Sequence, residues 1–209
     1  MSKISEIDDA VETVRSAGNK NLALLHCNSS YPSTHAEINL KFMNNLKSLY
    51  QIPVGFSDHT TDLLASKSAI SLGANIIERH FTLSKRMEGP DHLLSSEQKE
   101  MAELVKFKKY YKKFNLWFKK RSKKEKEQIM LILGNGVKKI QPNEYLTINS
   151  QKKSLYAKKK IKKGESFTKF NVSIKGPGGG LLPKYLTVIL NKKSKIRIQK
   201  DEPITWKSF

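Results

Sequence analysis

Residues 21–26 read Asn-Leu-Ala-Leu-Leu-His, a short and continuous apolar run that ends in a polar residue. Two similar runs follow along the chain, Ile-Pro-Val-Gly-Phe at 52–56 and Asn-Ile-Ile-Glu at 75–78. Continuous hydrophobicity of this kind is typical of strands that are buried on both faces, as in a parallel sheet. The three runs therefore predict three parallel strands.

Helical patterns flank and separate these runs. Apolar residues recur at helical spacing in 5–17 and 35–49, and small residues suited to close packing fill 60–72. A fourth helix is predicted from Ser95 or Ser96 to about Phe114. Each connection is long enough for the helical crossover that parallel strands need, so the alternation predicts an α/β fold.

Polar side chains cluster where the three strands end. His26-Cys27, Asp58-His59 and Arg79-His80 each stand at or just after a strand end, which is where β/α folds build their active sites. His59 and His80 could present two imidazoles to one divalent ion such as manganese, iron or zinc. The alternative is that each histidine satisfies a local hydrogen bond.

Two carboxylates accompany these histidines. Asp58 precedes His59, and Asp91 follows Gly89-Pro90 in the loop after the third strand. A carboxylate at such a place can orient a metal-bound histidine, hold a sugar hydroxyl or move a proton. Either aspartate could instead form a turn or begin a helix, and the sequence leaves both readings open.

The second half of the chain has a different pattern. Residues 116–150 combine a lysine run at 119–126 with an apolar stretch at 129–133, and we interpret them as a basic linker. From residue 151 to 209 short β-like runs alternate with turns, including Val188-Ile-Leu190 and the glycine-rich segment 176–180. The predicted division is therefore a β/α part at 1–115, the linker, and a small β-rich domain.

Composition limits the class of protein. The 209 residues carry a net charge of +20, and residues 106–163 alone hold 20 basic and 3 acidic side chains. Only 5 of the 39 basic residues are arginine, whereas base-edge and bidentate phosphate recognition prefers the guanidinium group. We therefore interpret the lysines as a solvated surface and expect no nucleic-acid partner.

Cysteine content and hydropathy exclude two further classes. The single cysteine, Cys27, rules out an internal disulfide framework. The apolar runs are too short to span a membrane, and the polar start Met1-Ser2-Lys3 lacks the apolar stretch of a secretory signal. We expect no membrane association and a cytoplasmic location.

Several ordered segments resemble the sialic acid (N-acetylneuraminate) synthase family. In the β/α part they are Leu24-Leu-His-Cys-Asn-Ser-Ser-Tyr-Pro32, Pro53-Val-Gly-Phe-Ser-Asp-His-Thr60, Gly73-Ala-Asn-Ile-Ile-Glu-Arg-His-Phe-Thr82 and Gly89-Pro-Asp-His92. The later part is similar to that family's antifreeze-like SAF domain, a β-clip fold, at Ser154-Leu-Tyr-Ala157, Ile161-Lys-Lys-Gly-Glu165, Phe167-Thr168, Pro177-Gly178 and Asp201-Glu-Pro-Ile-Thr-Trp206. The resemblance covers nearly the whole chain.

The resemblance implies an enzyme that condenses phosphoenolpyruvate with N-acetylmannosamine or a related amino sugar to give a nonulosonic acid. It implies that His59 and His80 hold a divalent ion, typically Mn²⁺, with Mg²⁺ or Co²⁺ as alternatives, and take part in catalysis with Asp91. Ser29, Tyr31, Ser57, Asp58 and Lys175 are the expected substrate-binding residues. In the family's domain-swapped dimer, the SAF domain of one chain caps the barrel of its partner.

The chain departs from the family pattern in two ways. It supplies only the last three β/α units of a (β/α)8 TIM barrel, whereas a complete barrel has eight strands in about 250 residues. In the family an arginine precedes the Pro-Gly of the SAF domain and reaches into the partner's sugar site. Here Gly176 stands at that position, with Lys175 before it as a substitute charge. The sequence thus predicts a fragment that a separate N-terminal half completes; the alternatives are an inactive remnant or a binding module for a carbohydrate or an anionic polymer.

Overall fold

The three apolar runs form one parallel sheet. In the computed structural model its strands are β1 (Leu24–Cys27), β2 (Val54–Asp58) and β3 (Ile77–Arg79), in the order β1-β2-β3. All three strands end one or two residues later than the apolar runs do, because the polar residues continue the pairing of the strands. The α/β prediction is confirmed.

The structure describes residues 1–110 and 113–209, and they divide into two units, Met1–Glu144 and Tyr145–Phe209. In the first unit the sheet is accompanied by two 3-10 turns (His35–Glu37 and Pro142–Glu144) and by the α-helices α1 (Ile4–Ser16), α2 (Phe42–Tyr50), α3 (Leu64–Ser71), α4 (Gln98–Tyr110), α5 (Phe114–Lys119) and α6 (Lys123–Leu133). The helix predicted to end near Phe114 crosses residues 111 and 112, which lie outside the described residues.

The sheet sorts its side chains between two faces. Successive residues of a strand point to opposite sides, and the register places His26 beside Phe56 and Asp58 beside Arg79. We call the side that carries these four residues the helix-covered face. There the His26 ring contacts Phe42 of α2, with centroids 5.6 Å apart, and Ser66 of α3 donates a hydrogen bond to Asp58. The opposite side, the histidine face, carries Cys27, Ser57, His59, Glu78 and His80.

The structure places residues 116–144 differently from the predicted linker. Trp117 of α5 and both Ile129 and Ile132 of α6 are buried in the hydrophobic core of the first unit. The backbone N–H of Leu40 also donates to the carbonyl of Ile132 at 2.9 Å. The apolar stretch after the lysine run is therefore the packed side of a helix, and the boundary between the units lies at residues 144 and 145.

The second unit is small and built around an antiparallel pair of strands, β4 (Ser154–Ala157) and β5 (Val172–Lys175), with helices α7 (Tyr145–Gln151) and α8 (Leu186–Ile189). Its core contains Leu155, Phe167, Ile189, Ile198 and Ile204. The run at 188–190, predicted to be β-like, overlaps the end of α8 instead, since Ile189 packs into this core from one helical turn.

The glycine-rich segment forms a turn that lies close to neighbouring backbone. A Cβ atom at Gly180 would lie 2.8 Å from the Leu155 carbonyl oxygen and 2.9 Å from that of Ile204. Only glycine fits this approach. Within residues 1–110 and 113–209, no helix combines the length and the apolar character that crossing a membrane requires.

Candidate active site

His59 and His80 meet on the histidine face. Their ring centres lie 5.3 Å apart, with the planes at 70°. Tyr31, in the loop after β1, lies against both rings, with centroid distances of 4.2 Å to His59 and 5.9 Å to His80. The structure therefore brings together three residues that the sequence analysis selected from three separate segments.

The surroundings of His59 fix its tautomer. Its Nδ1 lies 2.9 Å from the backbone carbonyl oxygen of Asn28, which can only accept a hydrogen bond, so Nδ1 carries the proton. Burial lowers the pKa of His59, and the neighbouring His80 adds to this effect. His59 is thus a neutral imidazole near pH 7 whose Nε2 keeps its lone pair, the form that ligates a metal.

The two imidazoles fit a shared divalent ion. Ligating imidazole nitrogens lie about 2 Å from such an ion, so ring centres about 5 Å apart are the expected separation. Among residues 1–110 and 113–209, no group of three or more His, Cys, Asp and Glu side chains could hold a metal together. An ion held by His59 and His80 would therefore need further ligands from water or a bound substrate.

Asp91 lies beside the second histidine. Its carboxylate is 3.7 Å from Nδ1 of His80, and both side chains are partly exposed. The same loop is held by His92, whose Nδ1 is 2.8 Å from the Thr82 hydroxyl. Asp91 is therefore an accessible carboxylate beside His80 at the two-histidine site.

Ser57 is paired with a residue that the sequence analysis missed. Its hydroxyl donates to Glu78 at 2.7 Å, across the register that places the two residues side by side. Glu78 stands two residues before His80 and so shares its face, a signal that strand alternation already contained. Cys27 lies next to Ser57 in the register, and burial raises the pKa of its thiol, which keeps it protonated.

Asp58 lies on the other face of the sheet. Its side chain is fully buried and forms an ion pair with the equally buried Arg79, with Nη1 and Oδ2 2.5 Å apart. Its oxygens also accept hydrogen bonds from Thr60 and Ser66. The expectation that Asp58 binds substrate does not match this position, because its carboxylate is saturated by protein donors and inaccessible.

Ser29 belongs to the polar loop after β1. Its backbone N–H donates to the buried Glu144 carboxylate at 3.2 Å. The adjacent Asn28 is buried and accepts hydrogen bonds from Ser30 and Ser33. The loop that carries Ser29 and Tyr31 is thus held by internal hydrogen bonds at the end of β1.

Lys175 lies at the end of β5 in the second unit. It pairs with Asp201, and its ammonium group lies 5.2 Å from the ring centre of Tyr156. Asp201 is partly exposed, and its ion pair with Lys175 lowers its pKa. The charge that was expected to reach a sugar is therefore neutralised locally by a neighbouring carboxylate.

Comparison with known proteins assigns both units. A model described as the NeuB family matches residues 1–115, and one for the SAF domain matches residues 152–209. An uncharacterized protein of Methanocaldococcus jannaschii is 41% identical over 206 residues, which are 99% of this chain and 56% of that protein. The N,N'-diacetyllegionaminic acid synthase of Campylobacter jejuni is 37% identical, covering 98% and 56% of the two chains.

A solved structure agrees with these matches. The spore coat polysaccharide biosynthesis protein SpsE of Bacillus subtilis superposes with a TM-score of 0.83 at 25% identity, over 99% of this chain and 58% of that one. The chain therefore spans little more than half the length of the relatives that it matches.

Proposed function

Because the chain belongs to the NeuB family, the sialic acid synthase family, and carries an SAF domain, we propose that it is part of a nonulosonic acid synthase. The substrates we propose are phosphoenolpyruvate and N-acetylmannosamine or a related N-acetylated amino sugar. The name of the Campylobacter jejuni relative supports this class, since it describes a synthase of a diacetylated nonulosonic acid.

The juxtaposition of His59 and His80 is the observation that carries the proposal. Their rings are 5.3 Å apart, and His59 keeps Nε2 available by donating from Nδ1 to Asn28. We propose that these two imidazoles hold a divalent ion, Mn²⁺ first, with Mg²⁺ or Co²⁺ as alternatives. Such an ion supplies Lewis acidity toward the aldehyde oxygen of the open-chain sugar.

The reaction joins two substrates and releases phosphate. C3 of phosphoenolpyruvate forms a bond to the aldehyde carbon of the sugar, whose oxygen takes up a proton and becomes a hydroxyl. Water adds at C2, and the C2–O bond to phosphate breaks, giving the 2-keto acid and inorganic phosphate. We assign sugar binding or proton transfer to Asp91, an accessible carboxylate beside His80.

The hydroxyl groups around the histidines are the proposed substrate contacts. Ser57 lies on the histidine face with Glu78, and Tyr31 covers both imidazoles while remaining 43% exposed. We propose that Ser29, Tyr31 and Ser57 contact phosphoenolpyruvate or the amino sugar, with Glu78 as an added polar neighbour. Asp58 is left out of this set because it is buried in its ion pair with Arg79.

We further propose that the three β/α units are the last three of a TIM barrel. The parallel order β1-β2-β3 and the similarity to a longer solved structure support this reading. Closing such a barrel would take five further strands, which an amino-terminal half of the family type would supply. A domain-swapped homodimer would bring Lys175 of one chain to the sugar site of its partner, provided that the lysine leaves Asp201.

The test is phosphate release from phosphoenolpyruvate and N-acetylmannosamine in the presence of Mn²⁺. The chain is assayed alone and together with the amino-terminal half of a related family member, and a diacetylated amino sugar is tested in parallel. His59→Ala removes one proposed ligand, and His35→Gln is the matched control outside the two-histidine site. We expect release in the mixture with wild type and His35→Gln, and none with His59→Ala.

Two results would contradict the proposal. Activity that persists in His59→Ala would remove the metal assignment. If a mixture shown to be folded and associated releases no phosphate with any of the sugars, the enzyme hypothesis is wrong. An inactive remnant or a binding module would then be favoured. Salt-sensitive retention of the chain on an anionic polymer would then distinguish these two alternatives.

A further inference from the structure

We propose that the buried ion pair of Asp58 and Arg79 is a positioning device that sets the separation and angle of the His59 and His80 imidazoles. The inference rests on the proposed function, since it concerns the same two-histidine site. Each member of the pair directly precedes one of the histidines, and the pair lies on the helix-covered face while both imidazoles lie on the other.

Arg79 bridges the two loops that follow the histidines. Besides Asp58, its guanidinium donates to the Thr60 carbonyl at 2.9 Å and to the Asp62 carbonyl at 2.8 Å, both in the loop after β2. It also donates to the Leu94 carbonyl at 3.2 Å and to the Ser96 hydroxyl at 2.7 Å, both after β3. One rigid planar group thus ties together the two segments that leave the active site.

Asp58 completes the connection on its own side. Its Oδ1 accepts from the Thr60 backbone at 2.9 Å and from the Thr60 hydroxyl at 2.8 Å, so the chain on both sides of His59 is held. Its Oδ2 accepts from Ser66 of α3 at 2.5 Å. His59 therefore lies between Asp58, which carries this carboxylate, and Thr60, which is hydrogen-bonded to it.

Stability alone does not account for this arrangement. Both side chains have no exposed surface, and a well-packed apolar pair of similar volume would often be equally or more stable than a buried ion pair. Apolar side chains, however, would not tie β2, β3 and both loops together by directed bonds. The geometry points to a role in orientation, exerted through the backbone at residues 58–59 and 79–80.

Two buried serines provide a matched comparison within this network. Ser96 and Ser66 are both fully buried, and each makes one hydrogen bond to one member of the ion pair. Ser96→Ala removes one of the two hydrogen bonds that tie the guanidinium to the segment after β3, whereas Ser66→Ala removes the hydrogen bond between the carboxylate and helix α3. Both should destabilise the unit to a similar extent, but only Ser96→Ala should change the imidazole geometry.

The experiment measures that geometry without metal and then with Mn²⁺. In the metal-free, histidine-labelled chain, a nuclear Overhauser cross-peak between the His59 and His80 rings reports their contact. Mn²⁺ affinity is then measured by electron paramagnetic resonance. We expect Arg79→Lys to abolish the cross-peak and to weaken Mn²⁺ binding by about tenfold, the size of effect seen when groups that orient ligands are lost. Ser96→Ala should weaken both, and Ser66→Ala should match wild type.

The outcomes separate this inference from the proposed function. A wild-type chain that shows the cross-peak and binds no Mn²⁺ would contradict the metal site, while loss of the cross-peak in Arg79→Lys would still support positioning. Cross-peaks and affinities that do not differ between wild type and the variants, or that fall equally in Ser96→Ala and Ser66→Ala, would overturn the inference. If Arg79→Lys does not fold, the two serine variants decide.

Discussion

The two faces of the parallel sheet treat polar side chains in opposite ways. On the helix-covered face, the side chains of Asp58 and Arg79 have no exposed surface and form an ion pair with each other. One residue earlier on each strand, Ser57 and Glu78 also pair, but Glu78 is exposed on the histidine face. A single step along a strand therefore separates charges that hold the structure from polar groups that can meet a ligand.

This difference predicts where substitutions act. A buried charge that loses its partner is left uncompensated, whereas an exposed carboxylate regains water. Substitutions on the helix-covered face should therefore cost stability, and those on the histidine face should spare it unless they disturb packing. The following variants test this contrast through the unfolding of the first unit, followed by Trp117 fluorescence in a Trp206→Phe background.

The largest effect is expected for Arg79→Met. It leaves the Asp58 carboxylate buried without its cation, and the free energy of unfolding should fall by about 3–5 kcal/mol. Lys67→Met is the control, because it removes the ion pair with Glu103, whose carboxylate is exposed, and should cost less than about 1 kcal/mol. Equal losses in denaturant unfolding would show that burial does not set the difference.

His26 makes the helix-covered face sensitive to acid. Burial lowers the pKa of His26 to about 4, against 6.5 in an unfolded chain, although its hydrogen bond with the Ile38 carbonyl and the nearby Glu144 oppose the shift. Between these values only the unfolded chain binds the proton, so about 3 kcal/mol of stability is lost as pH falls from 6.5 to 4.

His26→Phe should remove that part of the pH dependence. The measurement is the free energy of unfolding at several pH values from 7 to 4, with His92→Gln as a control that keeps His26. A slope that is unchanged in His26→Phe would assign the acid sensitivity to other groups.

Gly55→Ala tests packing on the histidine face itself. A Cβ atom at this position would lie 2.4 Å from the Ile76 carbonyl oxygen and 2.6 Å from Cδ2 of Leu25. Since backbone must move to admit it, we expect a loss of about 1–3 kcal/mol. Ser57→Ala is the control, because Ser57 is the next residue of β2 on the same face. A Gly55→Ala variant as stable as Ser57→Ala would contradict the close approach.

The smallest effect is expected for Glu78→Gln. The amide can still accept from the Ser57 hydroxyl, and the side chain is exposed, so the free energy of unfolding should change by less than about 1 kcal/mol. Comparison with Arg79→Met, its neighbour in the chain, gives the sharpest contrast between the faces. A loss comparable to that of Arg79→Met would show that the histidine face is also structurally essential.

The sequence was most informative where a local pattern suffices. Three apolar runs predicted the three parallel strands, and the polar residues after them marked the end of the sheet at which His59 and His80 meet. The linker prediction did not match the structure. It relied on the lysine run at 119–126 and gave too little weight to the apolar residues Ile129 and Ile132, which pack into the core from α6. Charge on one side of a helix says little about what its other side contacts.

The roles of Asp58 and Glu78 depend on contacts between strands. Residue types at fixed spacings were enough to predict the family, the α/β class and the pair of histidines. The sequence alone could not determine that Asp58 finds Arg79 rather than a ligand, or that Glu78 faces Ser57. Those outcomes depend on the register of β2 with β3 and on the helix that covers one face, because burial and partners are set by neighbours distant in sequence.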